Sequence, residues 1–289
     1  MKATSLTSVR PLKTPQFWLL AIAGGLIAVH LSLIWRLSGD FSRVSISLVY
    51  WGAVLSLLWD KRHTLSLKSD IFSSLLGLLF IAFVLLRGWF MTSFDAMFEL
   101  FPFMAGLGLA ILASGLKGLQ QYWQELVIIL AFTVPLEFLV ASIHIATFTA
   151  KFATFILSQL GFKVFLQGVN ILLPTGAVEV NPGCSGVESI VRLLQLAVMF
   201  LVMFPTDLAK KFLVPVVAVL VAFVVNSVRV ALMAILVAYS NQEAFNYWHQ
   251  GSGSQIFVLI SSLVFGIFCY FITQKDDTGN HDPMEISGS

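Results

Sequence analysis

The chain is dominated by apolar runs, most of them long enough to cross a lipid bilayer as a helix. The hydrocarbon core of a bilayer is about 30 Å thick and needs about 20 consecutive apolar residues. We predict eight such helices, over residues 17–35, 44–59, 71–90, 97–115, 124–144, 187–204, 213–238 and 255–273. Only 11% of the residues are charged and the mean hydropathy is +0.90, so polar side chains are too few to cover a water-soluble protein. The sequence therefore predicts an all-α polytopic membrane protein whose main partner is the lipid bilayer.

The apolar runs divide the chain into three parts. Residues 1–16 form an N-terminal tail, residues 17–273 form the transmembrane domain, and residues 274–289 form a polar C-terminal tail that we expect to be disordered. The first apolar run has spanning length and no small-residue cleavage site follows it, so we interpret it as a transmembrane helix and not as a cleaved signal. The net charge of +2 and the lack of a basic run argue against nucleic acid as a partner.

The distribution of Lys and Arg predicts that both chain ends are cytoplasmic. With the N-terminus inside, ten of the 17 Lys and Arg residues fall in inner segments and five fall in outer segments or at an outer helix end. Inner loops of membrane proteins are enriched in these residues. The remaining two, Arg192 and Arg229, lie within predicted helices. In a bacterial inner membrane this orientation places the connections 145–186 and 239–254 on the extracytoplasmic side.

The longer outer connection predicts a small β-hairpin before the sixth helix. It contains the alternating stretch VFLQGVNILL, a turn at Pro174–Gly176 and the stretch AVEVN. The turn signal Asn181–Pro182–Gly183 then leads directly to Cys184.

Cys184 is predicted to lie at the N-terminal end of the sixth helix, where the helix dipole favours a thiolate. Its small neighbours Gly183, Ser185 and Gly186 leave the sulfur open to a bulky substrate, and nearby backbone N–H groups could donate to an oxyanion. A buried structural thiol is the alternative, and Cys184 alone does not decide between the two. We interpret the other cysteine, Cys269, as a packing residue of the last apolar run.

Two further polar residues share the predicted outer side with Cys184. Arg229 interrupts the apolar run of the seventh helix, and Asn226 lies about one turn earlier on the same face. An Arg in lipid costs at least ~2.5 kcal/mol, so Arg229 should point into a bundle or cavity, where a structural role is the alternative to a functional one. His249 precedes the last helix, and its ordinary pKa near 6.5 suits a general acid or base, although a lone loop histidine is often a solvated bystander.

Other polar residues fall within the predicted membrane segments. Glu188 and Arg192 are four residues apart on the sixth helix and can form an ion pair, which we expect to support the site structurally. Glu137 in the fifth helix can contact a substrate or pair with Arg192, and the sequence does not decide. No HExxH motif or Cys/His cluster predicts a metal site, and we expect no cofactor.

The segments CSGVES, NSVRVAL and WHQGSGSQIF, in this order and topology, resemble the exosortase/archaeosortase family and most of all its cyanobacterial branch, the cyanoexosortases. The resemblance covers residues from about 125 to 270. It implies a membrane thiol protease and transpeptidase that acts on C-terminal sorting signals of the PEP-CTERM type, each a short motif followed by a hydrophobic helix and a basic cluster. The implied partners are membrane-anchored proteins that carry such signals and a surface acceptor of unknown nature.

The resemblance also implies a role for each of three residues. Cys184 would be the nucleophile that forms a thioester, Arg229 would stabilise the tetrahedral intermediate, and His249 would be the acid/base, although some relatives carry a second Arg in its place. A transporter or channel is a second hypothesis, because intramembrane Arg, Glu and Gln residues also line permeation paths, but no repeated halves are visible. A non-catalytic factor for envelope polymer export, in which Cys184 is dispensable, is a third.

Overall fold

The computed structural model describes residues 15–93, 96–134, 144–249, 251 and 253–279. The chain divides into two compact units, Met1–Pro135 and Leu136–Ser289. Within the described ranges, six helices are long and apolar enough to cross a membrane, and a small three-stranded sheet lies between helices of the second unit. The predicted class, a polytopic helical membrane protein with a small amount of β-structure, is confirmed.

The first unit consists of helices. They are α1 (Pro15–Ser38), α2 (Phe41–Lys61), α3 (Ile71–Phe90), α4 (Ala96–Ser114), a 3₁₀ helix (Leu116–Tyr122) and α5 (Trp123–Thr133). The side chain of Asp70 caps α3 by accepting a hydrogen bond from the backbone N–H of Ser73. A Cβ atom at Gly77 would lie 2.6 Å from the backbone nitrogen of Leu112, so only glycine allows the backbones of α3 and α4 to approach this closely.

The second unit combines helices with the sheet. Its elements are α6 (Ile145–Gln159), β1 (Phe165–Gln167), β2 (Asn170–Leu173), β3 (Gly176–Glu179), a 3₁₀ turn (Pro182–Cys184), α7 (Val187–Met203), α8 (Leu208–Ala238), α9 (Gln242–His249) and α10 (Gly253–Gly279). The strands are antiparallel in the order β1-β2-β3. Leu173 pairs with Gly176, so the predicted hairpin turn is a two-residue loop.

Two apolar cores share the long helix α8. One lies between α7, α8 and α10 and includes Leu193, Ala218 and Phe265. The other lies between α6, the sheet and the C-terminal part of α8 and includes Leu157, Ile171, Val178, Val230 and Ala234. The 31 residues of α8 measure about 46 Å at 1.5 Å per residue, which exceeds a bilayer core of about 30 Å. One end of α8 can therefore carry the sheet outside the hydrocarbon.

The two predicted outer connections contain more regular structure than the sequence analysis expected. Residues 145–159 form the helix α6, β1 adds a third strand to the hairpin, and the shorter connection contains α9. The helix α6 was missed because it is amphipathic: it buries the stripe Ile145, Thr149, Ala153 and Leu157 and exposes Phe148 and Lys151, so it lacks a continuous apolar run. The last helix continues to Gly279, so residues 274–279 are helical where we expected a disordered tail.

The predicted count of eight membrane helices is not confirmed. α7 has 17 residues, about 25 Å at 1.5 Å per residue, which is shorter than the hydrocarbon core. The predicted helix 124–144 corresponds to α5, but residues 135–143, including Glu137, lie outside the described residues, as do 1–14 and 280–289.

Candidate active site

The second unit brings a thiol and an imidazole together at one end of α7, α8 and α10. Sγ of Cys184 lies 3.0 Å from Nε2 of His249. Cys184 ends the 3₁₀ turn that precedes α7, and His249 is the last residue of α9. A thiol and an imidazole at hydrogen-bond distance can transfer a proton between them, which is the arrangement that activates a sulfur nucleophile.

Hydrogen bonds fix the backbone of Cys184 on both sides. Its N–H donates to the side-chain oxygen of Asn181 over 3.0 Å, and its carbonyl accepts from Nδ2 of Asn226 over 2.9 Å. We expected Cys184 at the start of the helix, but Cys184 ends the 3₁₀ turn, and Ser185 and Gly186 separate it from α7, which begins at Val187. Because Asn181 occupies the N–H of Cys184, this amide is not available to a substrate oxyanion.

Gly186 allows this turn to pack directly on α8. Its φ is +93°, and a Cβ atom there would lie 2.7 Å from Nδ2 of Asn226. The adjacent Ser185 is buried, and its carbonyl accepts a hydrogen bond from the hydroxyl of Thr149 on α6 over 2.8 Å. The predicted supporting residues Asn226, Ser185 and Gly186 thus all lie in or against the turn that carries Cys184.

Arg229 on α8 holds the end of the helix that carries His249. Its Nη2 donates to the backbone carbonyl of His249 over 2.7 Å. Its Nε is buried and has no hydrogen-bond partner in the described part of the chain. The guanidinium therefore links α8 to the end of α9, and its Nε–H is a donor without a partner among the described residues.

Burial and the Arg229 cation set the protonation of the pair. Burial raises the pKa of the Cys184 thiol, and the Arg229 cation partly opposes this rise. Burial lowers the pKa of His249, and the Arg229 cation lowers it further. The raised pKa of the thiol and the lowered pKa of the imidazole favour a neutral thiol next to a neutral imidazole at neutral pH, so the imidazole of His249 can accept the thiol proton.

A cavity of about 180 Å³ opens beside the pair. Its wall is formed by β3 and the residues just after it, by the 3₁₀ turn, and by α8 and α9. The lining residues are Ala177, Val178, Glu179, Val180, Asn181, Cys184, Val230, Met233, Phe245 and His249. No group of three His, Cys, Asp or Glu residues that could hold a metal ion occurs in the described ranges.

A family model described as transmembrane exosortase (Exosortase_EpsH) matches residues 35–266. The chain belongs to this family. The matched region includes both residues of the thiol–imidazole pair and Arg229. No curated protein and no solved structure matches the exosortase.

The predicted ion pair between Glu188 and Arg192 is present in this exosortase. The two side chains form an ion pair on α7, with 61% of the Glu188 side chain and 21% of the Arg192 side chain exposed. Neither residue is among those that line the cavity beside Cys184. Their predicted supporting role remains a prediction.

Three contacts of the site were not identified from the sequence. An Asn with Pro at the next position is a capping signal, and it marks Asn181 as the residue that holds the N–H of Cys184. Phe245 precedes His249 by four residues on α9, and the two rings stack with centroids 5.1 Å apart. Thr149 gave no signal, because its partner Ser185 is 36 residues away along the chain.

Proposed function

We propose that this exosortase is a cysteine transpeptidase that cleaves C-terminal sorting signals of the PEP-CTERM type at the extracytoplasmic surface of a bacterial inner membrane. The observation that carries the proposal is the 3.0 Å contact between Sγ of Cys184 and Nε2 of His249 beside a cavity. Assignment to the cyanobacterial branch, based on the three sequence segments, is part of the same proposal.

The first half of the reaction forms a thioester. Nε2 of His249 takes the proton of the Cys184 thiol while Sγ attacks the scissile carbonyl carbon, and the carbonyl oxygen becomes an oxyanion. The cationic side chain of Arg229, with its unpartnered Nε–H, supplies charge and a donor for that oxyanion. The C–N bond then breaks, His249 gives its proton to the leaving amine, and the protein upstream of the cleavage point remains on Cys184 as a thioester.

The second half releases the product. An amine or hydroxyl of the surface acceptor, or water, attacks the thioester carbonyl while His249 takes its proton. The C–S bond then breaks and the thiol of Cys184 is regenerated with the proton from His249. Transfer and hydrolysis differ only in this second nucleophile.

The position of the site suits a substrate that is itself anchored in the membrane. Cys184, Arg229 and His249 lie at the same end of α7, α8 and α10. With both chain ends in the cytoplasm, this end faces outward, as the distribution of Lys and Arg predicts. The hydrophobic helix of a sorting signal would then present the motif before it at the level of the thiol.

Replacement of Cys184 tests the proposal. Cys184→Ala and Cys184→Ser should abolish processing of a PEP-CTERM reporter in the native host, which an electrophoretic shift of the reporter would show. Cys269→Ala is the matched control, because Cys269 packs among α7, α8 and α10 away from the site, and should process the reporter normally. Unchanged processing in the Cys184 variants would leave a transporter or a non-catalytic export factor instead.

Replacement of Arg229 by Lys tests the role of the guanidinium. An ammonium keeps the charge but cannot donate to the His249 carbonyl and also present the Nε–H donor. We expect the processing rate to fall about 100-fold, as for the loss of an oxyanion donor. Normal turnover of the reporter would remove Arg229 from the mechanism.

A further inference from the structure

The edge of the small sheet next to Cys184 has unused backbone hydrogen-bonding groups. β3 is an edge strand, because the strand order is β1-β2-β3. Leu173 pairs with Gly176, Ile171 pairs with Val178, and the N–H of Val180 donates to the carbonyl of Val169 over 3.0 Å. In an antiparallel pair the backbone groups of alternate residues point to the same neighbour. The N–H and C=O groups of Ala177 and Glu179 therefore point away from β2.

These groups have no partner in the part of the chain that the structure describes. No hydrogen bond among the described residues involves the backbone N–H or C=O of Ala177 or Glu179, and both residues are exposed. Both also line the cavity that contains Cys184 and His249. An unpaired strand edge is a template for another extended segment, and here it ends beside the nucleophile.

We propose that the free edge of β3 binds the substrate as an extended peptide, which adds a fourth strand to the sheet and presents one peptide bond to Cys184. This inference rests on the proposed function and specifies how its substrate is held. The backbone groups of Ala177 and Glu179 supply two donors and two acceptors, the pattern by which proteins bind extended peptides at sheet edges. Such binding depends little on the peptide's side chains at the paired positions.

The cavity explains how the paired peptide would still be selected by sequence. Side chains of a strand alternate between its two faces, so every second side chain of the bound peptide can point toward the cavity. The lining of the cavity also includes the apolar residues Val230, Met233 and Phe245. We therefore expect an apolar side chain of moderate size near the scissile bond.

A proline at position 177 tests the backbone pairing. Ala177→Pro removes an N–H that points away from β2, so the ladder with β2 is kept, as is usual for proline on edge strands. Loss of one hydrogen bond and the clash of the proline ring with a paired strand should slow reporter processing about tenfold in a pulse–chase experiment. Ala177→Val is the comparison variant, because it adds as many carbon atoms and retains the N–H, and the Pro variant should process the reporter about tenfold more slowly than the Val variant.

The outcomes separate the two proposals. Loss of processing in Cys184→Ala with normal processing in Ala177→Pro would overturn the strand pairing and leave the proposed function intact. Equal losses in the Pro and Val variants would assign the effect to bulk in the cavity and also overturn the pairing. In a Cys269→Ala background, a small maleimide should alkylate Cys184 at the same rate in both variants. Equal rates would show that the site is still folded in both.

Photo-crosslinking provides a second test that does not depend on the proline variant. With p-benzoylphenylalanine in place of Glu179 and with Cys184→Ala to block turnover, the reporter should crosslink to the exosortase. The same group in place of Phe165, which is 74% exposed on β1 at the opposite edge, should give no reporter adduct. A crosslink from position 179 to a second exosortase chain, or equal adducts from both positions, would contradict a peptide at the β3 edge.

Discussion

The protonation of Cys184 follows from its immediate surroundings. Burial disfavours the thiolate, while the Arg229 cation favours it and also keeps His249 neutral. Cys184 is therefore a neutral thiol at rest and not a preformed thiolate, so a base must take its proton during the reaction. In the proposed mechanism, His249 therefore takes part in the attack step as well as in protonation of the leaving amine.

The pH dependence of alkylation tests this protonation state. In a Cys269→Ala background, the midpoint for reaction of Cys184 with iodoacetamide should lie above the ordinary pKa of a cysteine, because burial raises the pKa of the thiol. Arg229→Gln should move the midpoint further upward, because the cation that lowers this pKa is lost. An unchanged or lower midpoint in the Gln variant would contradict the assignment.

The glycine before α7 is predicted to be required for the shape of the site. Gly186→Ala combines a left-handed backbone with a Cβ 2.7 Å from Nδ2 of Asn226, and should destabilise the protein by at least about 1–2 kcal/mol and displace Cys184. Gly183→Ala is the matched control, since its nearest neighbour would be 3.4 Å away, an ordinary contact. Thermal unfolding in detergent and reporter processing would show the difference, and equal stability of the two variants would refute it.

At the scale of elements, hydropathy predicted the long lipid-facing helices and the hairpin turn, because both leave local signals. It did not predict α6, which packs on α8 and the sheet, or α9, which packs on α8 and α10. The order Cys184, Arg229, His249 was visible in the sequence. Their arrangement was not, because the caps from Asn181 and Asn226 and the link from Arg229 to the His249 carbonyl depend on the packing of separate elements.

The ion pair on α7 is expected to contribute little to catalysis. The Glu188 side chain is 61% exposed, and ion pairs at such positions contribute about 0–1 kcal/mol to stability. Glu188→Gln should therefore change the rate of reporter processing by less than about twofold, with at most a small drop in the melting temperature. A loss as large as that of Arg229→Lys would show instead that the pair takes part in the reaction.

For the molecule as a whole, the predicted orientation places Cys184 outside the cell membrane. A membrane-impermeant charged maleimide should label Cys184 in cells whose outer envelope is permeabilised and whose inner membrane is intact. Cys269 should stay unlabelled, because it is buried between helices. Labelling of Cys184 only after the inner membrane is opened would reverse the orientation and place the reaction in the cytoplasm.

The central claim is that Cys184 becomes covalently attached to the substrate, and mass spectrometry of the trapped intermediate tests it most directly. Exosortase mixed with a reporter and quenched in acid should yield a peptide containing Cys184 linked through a thioester to the new C-terminus of the reporter. Hydroxylamine should release this adduct, and the Cys184→Ala protein should not form it. Cleavage of the reporter without an adduct on Cys184, or with the adduct on another residue, would contradict the account.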